Sequence, residues 1–319
     1  MLGVMSSPAF SATPSAAGAS VPAWAVPRGA IADPAEAAFI AGAALNSLDQ
    51  LVRAAPPWAG AWRQRLALQC AAAAASLVGR TEGEGALRDA WLLRADGDPG
   101  PAGNLLAAWR RLAERDPQIN TDALRSAVRL LGLAWSNDLA ALPERLDNLT
   151  RSMRPAPLLA AAAAAEVQRI RPDAHLLGWW LADQVLARRM HWAVAVPLFV
   201  KHARGPAFRS AGDRSRIRPG EDGFERAVCV ALALAAAEAC RLADEIAPRA
   251  ARLTAVAPKL RAKGAGEVIQ LLFDEDAVAG TLQTKSLTRW GSRRLFERLT
   301  NLDAVRELSG RATFRLYGL

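Results

Sequence analysis

Five arginines near the end of the chain carry its clearest chemical signal: Arg289, Arg293 and Arg294, then Arg311 and Arg315. A guanidinium is planar, always charged and carries five N–H donors. It grips phosphate oxygens, and it pairs in bidentate fashion with guanine in the major groove of DNA. A second basic concentration is KHARGPAFRSAGDRSRIRPGEDG, residues 201–223. There Lys201, Arg204, Arg209, Arg214, Arg216 and Arg218 are opposed through residue 218 by Asp213 alone. Such a run is either a mobile, solvated loop or an arm that contacts phosphates.

Other chemistries find little support. His175, His191 and His202 have no metal-type partner nearby in sequence, and HExxH, Walker A, GxGxxG and GxSxG patterns are absent. Glu82 and Glu84 lie in a Gly-rich break and read as exposed loop glutamates. Cys70, Cys229 and Cys240 form no CxxC and sit among Ala and Val, which suits small buried residues of a reducing compartment. No catalytic residue, metal or cofactor is therefore expected.

Forty Lys and Arg against thirty-one Asp and Glu give 319 residues a formal charge of +9 and a pI near 10.5. That balance favours an anionic partner, double-stranded DNA first, although Arg- and Ala-rich coding produces the same numbers. The apolar runs at 158–165 and 227–237 are too short for the roughly 20 residues of a membrane span. No Lys or Arg precedes Arg28, so the basic region of a signal peptide is missing and a cytoplasmic location is expected.

The elements that would position these side chains are helices. Residues 1–32, rich in Ala, Ser and Pro, predict a disordered tail. A helical region over 33–154 opens on Asp33 as N-cap with Pro34 and Glu36 behind it. Phe39, Leu45, Leu48 and Val52 mark its first buried side. After Pro56-Pro57, Trp58, Trp62, Leu66, Cys70, Ala73 and Leu77 recur at helical spacing. Further helices are expected over 86–93, 104–114, 120–132 and 137–151. A second region, 155–263, holds helices over 157–170 and 173–190, the latter capped by Asp173 and carrying Trp179-Trp180 in its core. The basic loop 201–223 follows, then a long helix from Phe224 that Pro248 kinks and Pro258 ends. No strand is expected before residue 300.

From residue 264 to 319 the pattern predicts a winged helix-turn-helix. Its parts are a helix over 265–274, a short helix over 277–282, and a third helix over 289–302 capped by Thr288. Leu295, Leu299 and Leu302 would face the core, with Arg289 and Arg293 opposite and Trp290 packed. The ending AVRELSGRATFRLYGL then reads as a tight hairpin about Ser309-Gly310, the wing. Ala312, Phe314 and Leu316 would pack inward, leaving Arg311 and Arg315 to touch a backbone. The expected fold is all-α: a multi-helix bundle ending in this winged unit with its short β-hairpin.

The segments PPWAGAWRQRLALQCAAAAASLVGRTEGEGALRDAWLLR (56–94), DPGPAGNLLAAWRRL (98–112), VAPKLRAKGAG (256–266) and RRLFERLTNLDAVRELSGRATFRLYGL (293–319) carry a resemblance. They look like an alphaproteobacterial family called domain of unknown function 1403, which implies no particular activity. More distantly, the layout is similar to Fic-domain relatives, which join a helical body to a C-terminal winged helix. Those relatives carry an inhibitory Ser-x-Ile-Glu-Gly segment and a His-Pro-Phe…Gly-Asn-Gly-Arg motif. Here Ser76-Leu77-Val78-Gly79-Arg80 has glycine in place of the glutamate, and the histidines continue as His175-Leu176, His191-Trp192 and His202-Ala203. This resemblance implies that nucleotidyl transfer is lost, and it transfers no catalytic residue.

The leading functional expectation is a non-enzymatic DNA-binding regulator or plasmid-maintenance accessory protein whose body senses, dimerises or docks a partner. The alternatives are a helical protein-interaction scaffold without nucleic acid, and a degenerate Fic-like protein.

Overall fold

The computed structural model describes residues 20–93, 97–210, 215–311 and 313–319. Chain order begins with α1 (Pro34–Ala54), α2 (Ala59–Leu77), α3 (Glu84–Leu92), α4 (Gly100–Glu114), α5 (Thr121–Leu130) and α6 (Asn137–Ala140). It continues through α7 (Leu142–Arg151), α8 (Ala156–Ile170), α9 (His175–Met190) and α10 (Phe224–Val256). The C-terminal unit comprises α11 (Ala265–Asp274), β1 (Val278–Ala279), α12 (Arg289–Asn301), β2 (Arg306–Glu307) and β3 (Leu316–Gly318). The chain is mostly helical, as its sequence predicts.

Local chemistry sets several of these boundaries. Asp33 accepts N–H bonds from Ala35 and Glu36 at 3.1 and 3.2 Å, so α1 starts where its capping residue stands. Asn120 does the same for α5 through Ala123 at 2.8 Å. Asp173 differs from expectation: it bonds the Arg171 guanidinium at 2.8 and 3.0 Å and leaves α9 without a side-chain cap. The helix expected over 137–151 is divided at Ala141 into α6 and α7.

The pairs α1 with α10, α8 with α9 and α2 with α4 build the body, and α10 also packs on α8. α2 and α9 are enclosed on nearly every side, which is why their buried positions outnumber a single stripe. Indole N–H groups inside this core need acceptors. Trp62 donates to the Ala239 carbonyl at 2.9 Å, and Trp180 to that of Ala108 at 3.0 Å. Trp179 meets Phe208, Phe224 and Phe199 at centroid distances of 5.4, 6.0 and 6.3 Å, so the Trp179-Trp180 pair is core. Asp183, fully buried, accepts the N–H groups of Leu198 and Phe199 at 3.2 and 3.3 Å, while burial pushes its carboxyl well above the usual range. Cys70, Cys229 and Cys240 are free and buried, and burial pushes the Cys229 and Cys240 thiols up to about 11 and about 12.

Three expectations are corrected here. Residues 20–32 fall inside the stretch read as a disordered tail, yet they pack on the body. Ala25 is fully buried, Ser47 Oγ donates to the Ser20 carbonyl, and Arg226 donates to that of Ile31 at 2.6 Å. Residues 1–19 lie outside the described residues. Phe39, placed on the buried side of α1, is 67% exposed and stacks on Trp24 at 5.5 Å. The strand-free body also gives way: β1 occupies 278–279 where a short helix was expected, and Arg209 bridges Arg216 across the basic loop. One hydrophobic core contains Leu48, Leu142, Leu186, Leu232, Leu272, Phe296 and Leu319, running unbroken across the expected divisions at 154/155 and 263/264.

The C-terminal unit is pinned to the body at the junction of α11 and β1. Buried Asp276 accepts from Arg65 Nε of α2 and, at 2.5 Å, from Arg88 Nε of α3. Arg65 Nη2 also donates to the carbonyls of Asp276 at 3.1 Å and of the last residue, Leu319, at 3.4 Å. Beside it Glu275 accepts from Arg110 of α4 at 2.8 Å. Gly60 of α2 lets the backbones touch, since a Cβ there would lie 2.7 Å from the Asp274 Cα. Desolvation works to raise the Asp276 carboxyl, but Arg65 and Arg88 outweigh it and hold it below the ordinary value.

Removing that carboxylate leaves the buried Arg65 guanidinium without its counter-ion, whereas Arg88 keeps Glu84 at 3.7 Å. Asp276→Ala should therefore cost about 3–5 kcal/mol of unfolding free energy, read from urea denaturation. Because the folded pKa is depressed, the carboxylate's contribution is complete above the unfolded value of about 3.9 and fades as pH falls through the folded one. Acid titration should show wild-type stability dropping below about pH 4 more steeply than that of Asp276→Asn.

Candidate functional site

Within the C-terminal unit, β3 lies between β1 and β2, antiparallel to both, with Val278 opposite Tyr317 and Arg306 opposite Gly318. Gly280 extends this pairing by donating to the Arg315 carbonyl at 2.8 Å. Only glycine fits there, because a Cβ would sit 2.7 Å from the Tyr317 ring. Tyr317, the chain's single tyrosine, stacks on Phe296 of α12 at 4.6 Å and 10°. Together with buried Leu295 and Leu299, that stack fixes α12 against the sheet. Thr288 caps the helix by accepting from Gly291 at 3.2 Å.

This packing opens a cleft of about 380 Å³ between α12 and the segment leading into β3. Arg289 and Arg293 enter from the helix, and Thr313, Phe314 and Arg315 from the opposite segment, with Glu297 and Tyr317 also lining it. Three of the five arginines singled out in the sequence thus converge on one concave surface. Arg289 and Arg293 have no carboxylate within ion-pair distance among the described residues, and the Arg293 guanidinium lies 5.3 Å from the Trp290 ring. Arg315 is held above its usual value by a hydrogen bond to Tyr317 first and by Glu307 second, whose carboxylate is 3.8 Å away. Charge, hydrogen-bond donors and an open shape suit such a cleft to anionic oxygens.

The remaining basic residues are placed differently. Arg294 is exposed on α12 but does not line the cleft. Arg311 turns back to form an ion pair with Asp89 of α3, so it is not a free wing tip. Lys201 pairs with Glu238 at 2.6 Å, and Arg204 donates to Ser76 Oγ and the Leu77 carbonyl at the end of α2. Glu238 is driven upward by desolvation, but hydrogen bonds to His202 and Lys201 prevail and bring it to about 2. The described parts of the basic segment, 201–210 and 215–223, are held by short helical turns, the Arg209–Arg216 bridge and the Glu221 carboxylate, which accepts the Arg218 N–H at 2.8 Å. Arg209, Arg216 and Arg218 remain exposed, and Arg214 lies outside the described residues. No group of three or more metal-ligating side chains occurs among the described residues. No helix there is long and apolar enough to cross a membrane.

Aromatic placement is where the sequence reading fails most. Trp290, expected to pack, is 72% exposed, and Phe314, expected to point inward, is 58% exposed with φ of 56°. The turn is also longer than a two-residue hairpin: Leu308 N–H bonds the Leu316 carbonyl at 2.8 Å, so the loop spans 309–315. That loop breaks the alternation that put Phe314 on the inner face. Leu302 ends α12 as its C-cap and is largely exposed. Thr313, Phe314 and Tyr317 were missed as cleft residues, and nothing in their spacing distinguishes them from an ordinary strand.

A protein-family model described as "Protein of unknown function (DUF1403)" matches residues 11–319. A search of functionally curated proteins finds no match.

Because Thr288 supplies the only side-chain cap of α12, Thr288→Ala should destabilise the protein by about 1 kcal/mol. Thermal unfolding followed by circular dichroism would measure it, with Thr288→Ser expected to retain most of the stability.

Proposed function

We propose that this chain, which belongs to the DUF1403 family, is a non-enzymatic DNA-binding protein whose C-terminal unit grips the phosphate backbone. The observation that carries this reading is the convergence of Arg289, Arg293 and Arg315, from two elements, on one open cleft. Two of the three have no internal counter-ion among the described residues, and phosphate oxygens would supply one.

The strand order β1-β3-β2, with α11 before it and α12 between β1 and β2, supports the winged-helix comparison. The unit departs from that arrangement in having β1 and an irregular segment where the middle helix would lie. Exposed Arg294 on α12 extends the basic face beyond the cleft, and exposed Trp290 adds an aromatic surface beside it. A role as a regulator or DNA-maintenance accessory factor in the cytoplasm fits this unit, with the helical body dimerising or docking a partner. A protein scaffold is the second reading, and the exposed Trp24–Phe39 stack is what favours it.

Fluorescence anisotropy of a labelled duplex separates the two. Removing one arginine–phosphate pair should lower the slope of log affinity against log salt by about 1. Arg289→Glu with Arg293→Glu should abolish most binding and flatten that slope, whereas Arg311→Ala should change affinity little. Unchanged affinity in the double variant would remove the DNA reading. Co-purification of a partner after nuclease treatment, abolished by Trp24→Ala with Phe39→Ala, would install the scaffold.

A further inference from the structure

A second cleft, of about 350 Å³, lies where the end of α4 and the start of α5 meet α9. Arg111 and Arg115 line it from the first, Asn120 and Asp122 from the second, and Trp180 and Gln184 from α9. Neither arginine, nor Arg129 nearby, has a carboxylate within ion-pair distance among the described residues. Asp116 lines the cleft as well, and its carboxylate accepts from Gln118 Nε2 at 3.2 Å. Burial first, then the like charges of Arg115 and Arg129, hold the Arg111 guanidinium below its usual value. A partly desolvated cation beside two further cations, none of them in an ion pair among the described residues, is an arrangement that a bound anion relieves.

Gln184 supplies an independent pointer. It is 97% buried, since only 3% of its surface is exposed, and its Oε1 has no hydrogen-bond partner. Buried amide oxygens are nearly always satisfied, so an unpartnered one on a residue that lines a cleft points to a donor from a ligand. Trp180 adds an aromatic wall whose position is fixed by the bond from Nε1 to the Ala108 carbonyl.

We infer that this cleft binds a small phosphate monoester of about mononucleotide size. Arg111 and Arg115 hold its phosphate, and Gln184 accepts an N–H or O–H from the rest of the molecule. The site is distinct from the C-terminal cleft and does not rest on the DNA reading. It gives the helical body a small-molecule ligand.

Isothermal titration of the full chain with adenosine monophosphate and with inorganic phosphate tests it, using chloride at matched ionic strength as the blank. Saturable binding of one molecule of the nucleotide per chain is expected. Arg111→Gln and Arg115→Gln should each weaken it about tenfold or more, the loss of a charge-assisted hydrogen bond. Both substitutions remove partly or fully exposed groups, and a thermal melt shows that each variant is folded. Arg289→Glu with Arg293→Glu should bind the nucleotide as tightly as wild type, which separates this site from the DNA reading. No saturable heat from either probe, or equal affinity in the Arg111 and Arg115 variants, overturns the assignment.

Discussion

A carboxylate at the junction of α11 and β1 holds the C-terminal unit where it is. Asp276 is enclosed between Arg65 and Arg88, and without them a buried anion there would be too costly to keep. Arg65 gains in turn from the Asp276 and Leu319 carbonyls, so the same guanidinium fastens both the entry to the sheet and the chain's last residue. Gly60 makes this contact close enough, and Arg110 with Glu275 repeats the attraction one residue away. The C-terminal unit is consequently one face of the body, and its cleft is presented at an orientation the body fixes.

Arginine pairing also explains which cations remain for a ligand. Arg311 and Lys201 are neutralised by Asp89 and Glu238, and Arg204 closes the end of α2. Arg289 and Arg293 lie on the exposed side of α12, away from Leu295 and Leu299, and no acidic side chain among the described residues pairs with them. A net charge of +9 is therefore distributed unevenly in function: much of it is structural, and a small part faces open space.

Most of the helical framework was legible because its determinants are local. Asp33 and Thr288 cap the helices their positions predict, α5 follows Asn120, near which a helix was expected to start, and α11 occupies the segment its apolar spacing marks. The failures share a physical cause, which is that partners distant in sequence decide them. Val278-Ala279 becomes a strand because β3, far along the chain, offers a free edge. Residues 20–32 become ordered because α1 and α10 provide a surface to cover, whatever their low-complexity composition suggests. Phe314 turns outward because the loop before β3 is too long to preserve a period of two.

Composition and spacing by themselves determined that this protein is a helical bundle with a basic C-terminal unit containing a short sheet. They also singled out the arginines that reach its cleft, because helix periodicity alone puts Arg289 and Arg293 on one face. Tertiary structure decided everything that depends on pairing across the chain. It divided neutralised cations from unpartnered ones, joined the unit to the body through Asp276, and set Arg315 opposite α12. A charge in a sequence has no partner until the fold brings one within a few ångströms, and its availability to a ligand follows from that distance.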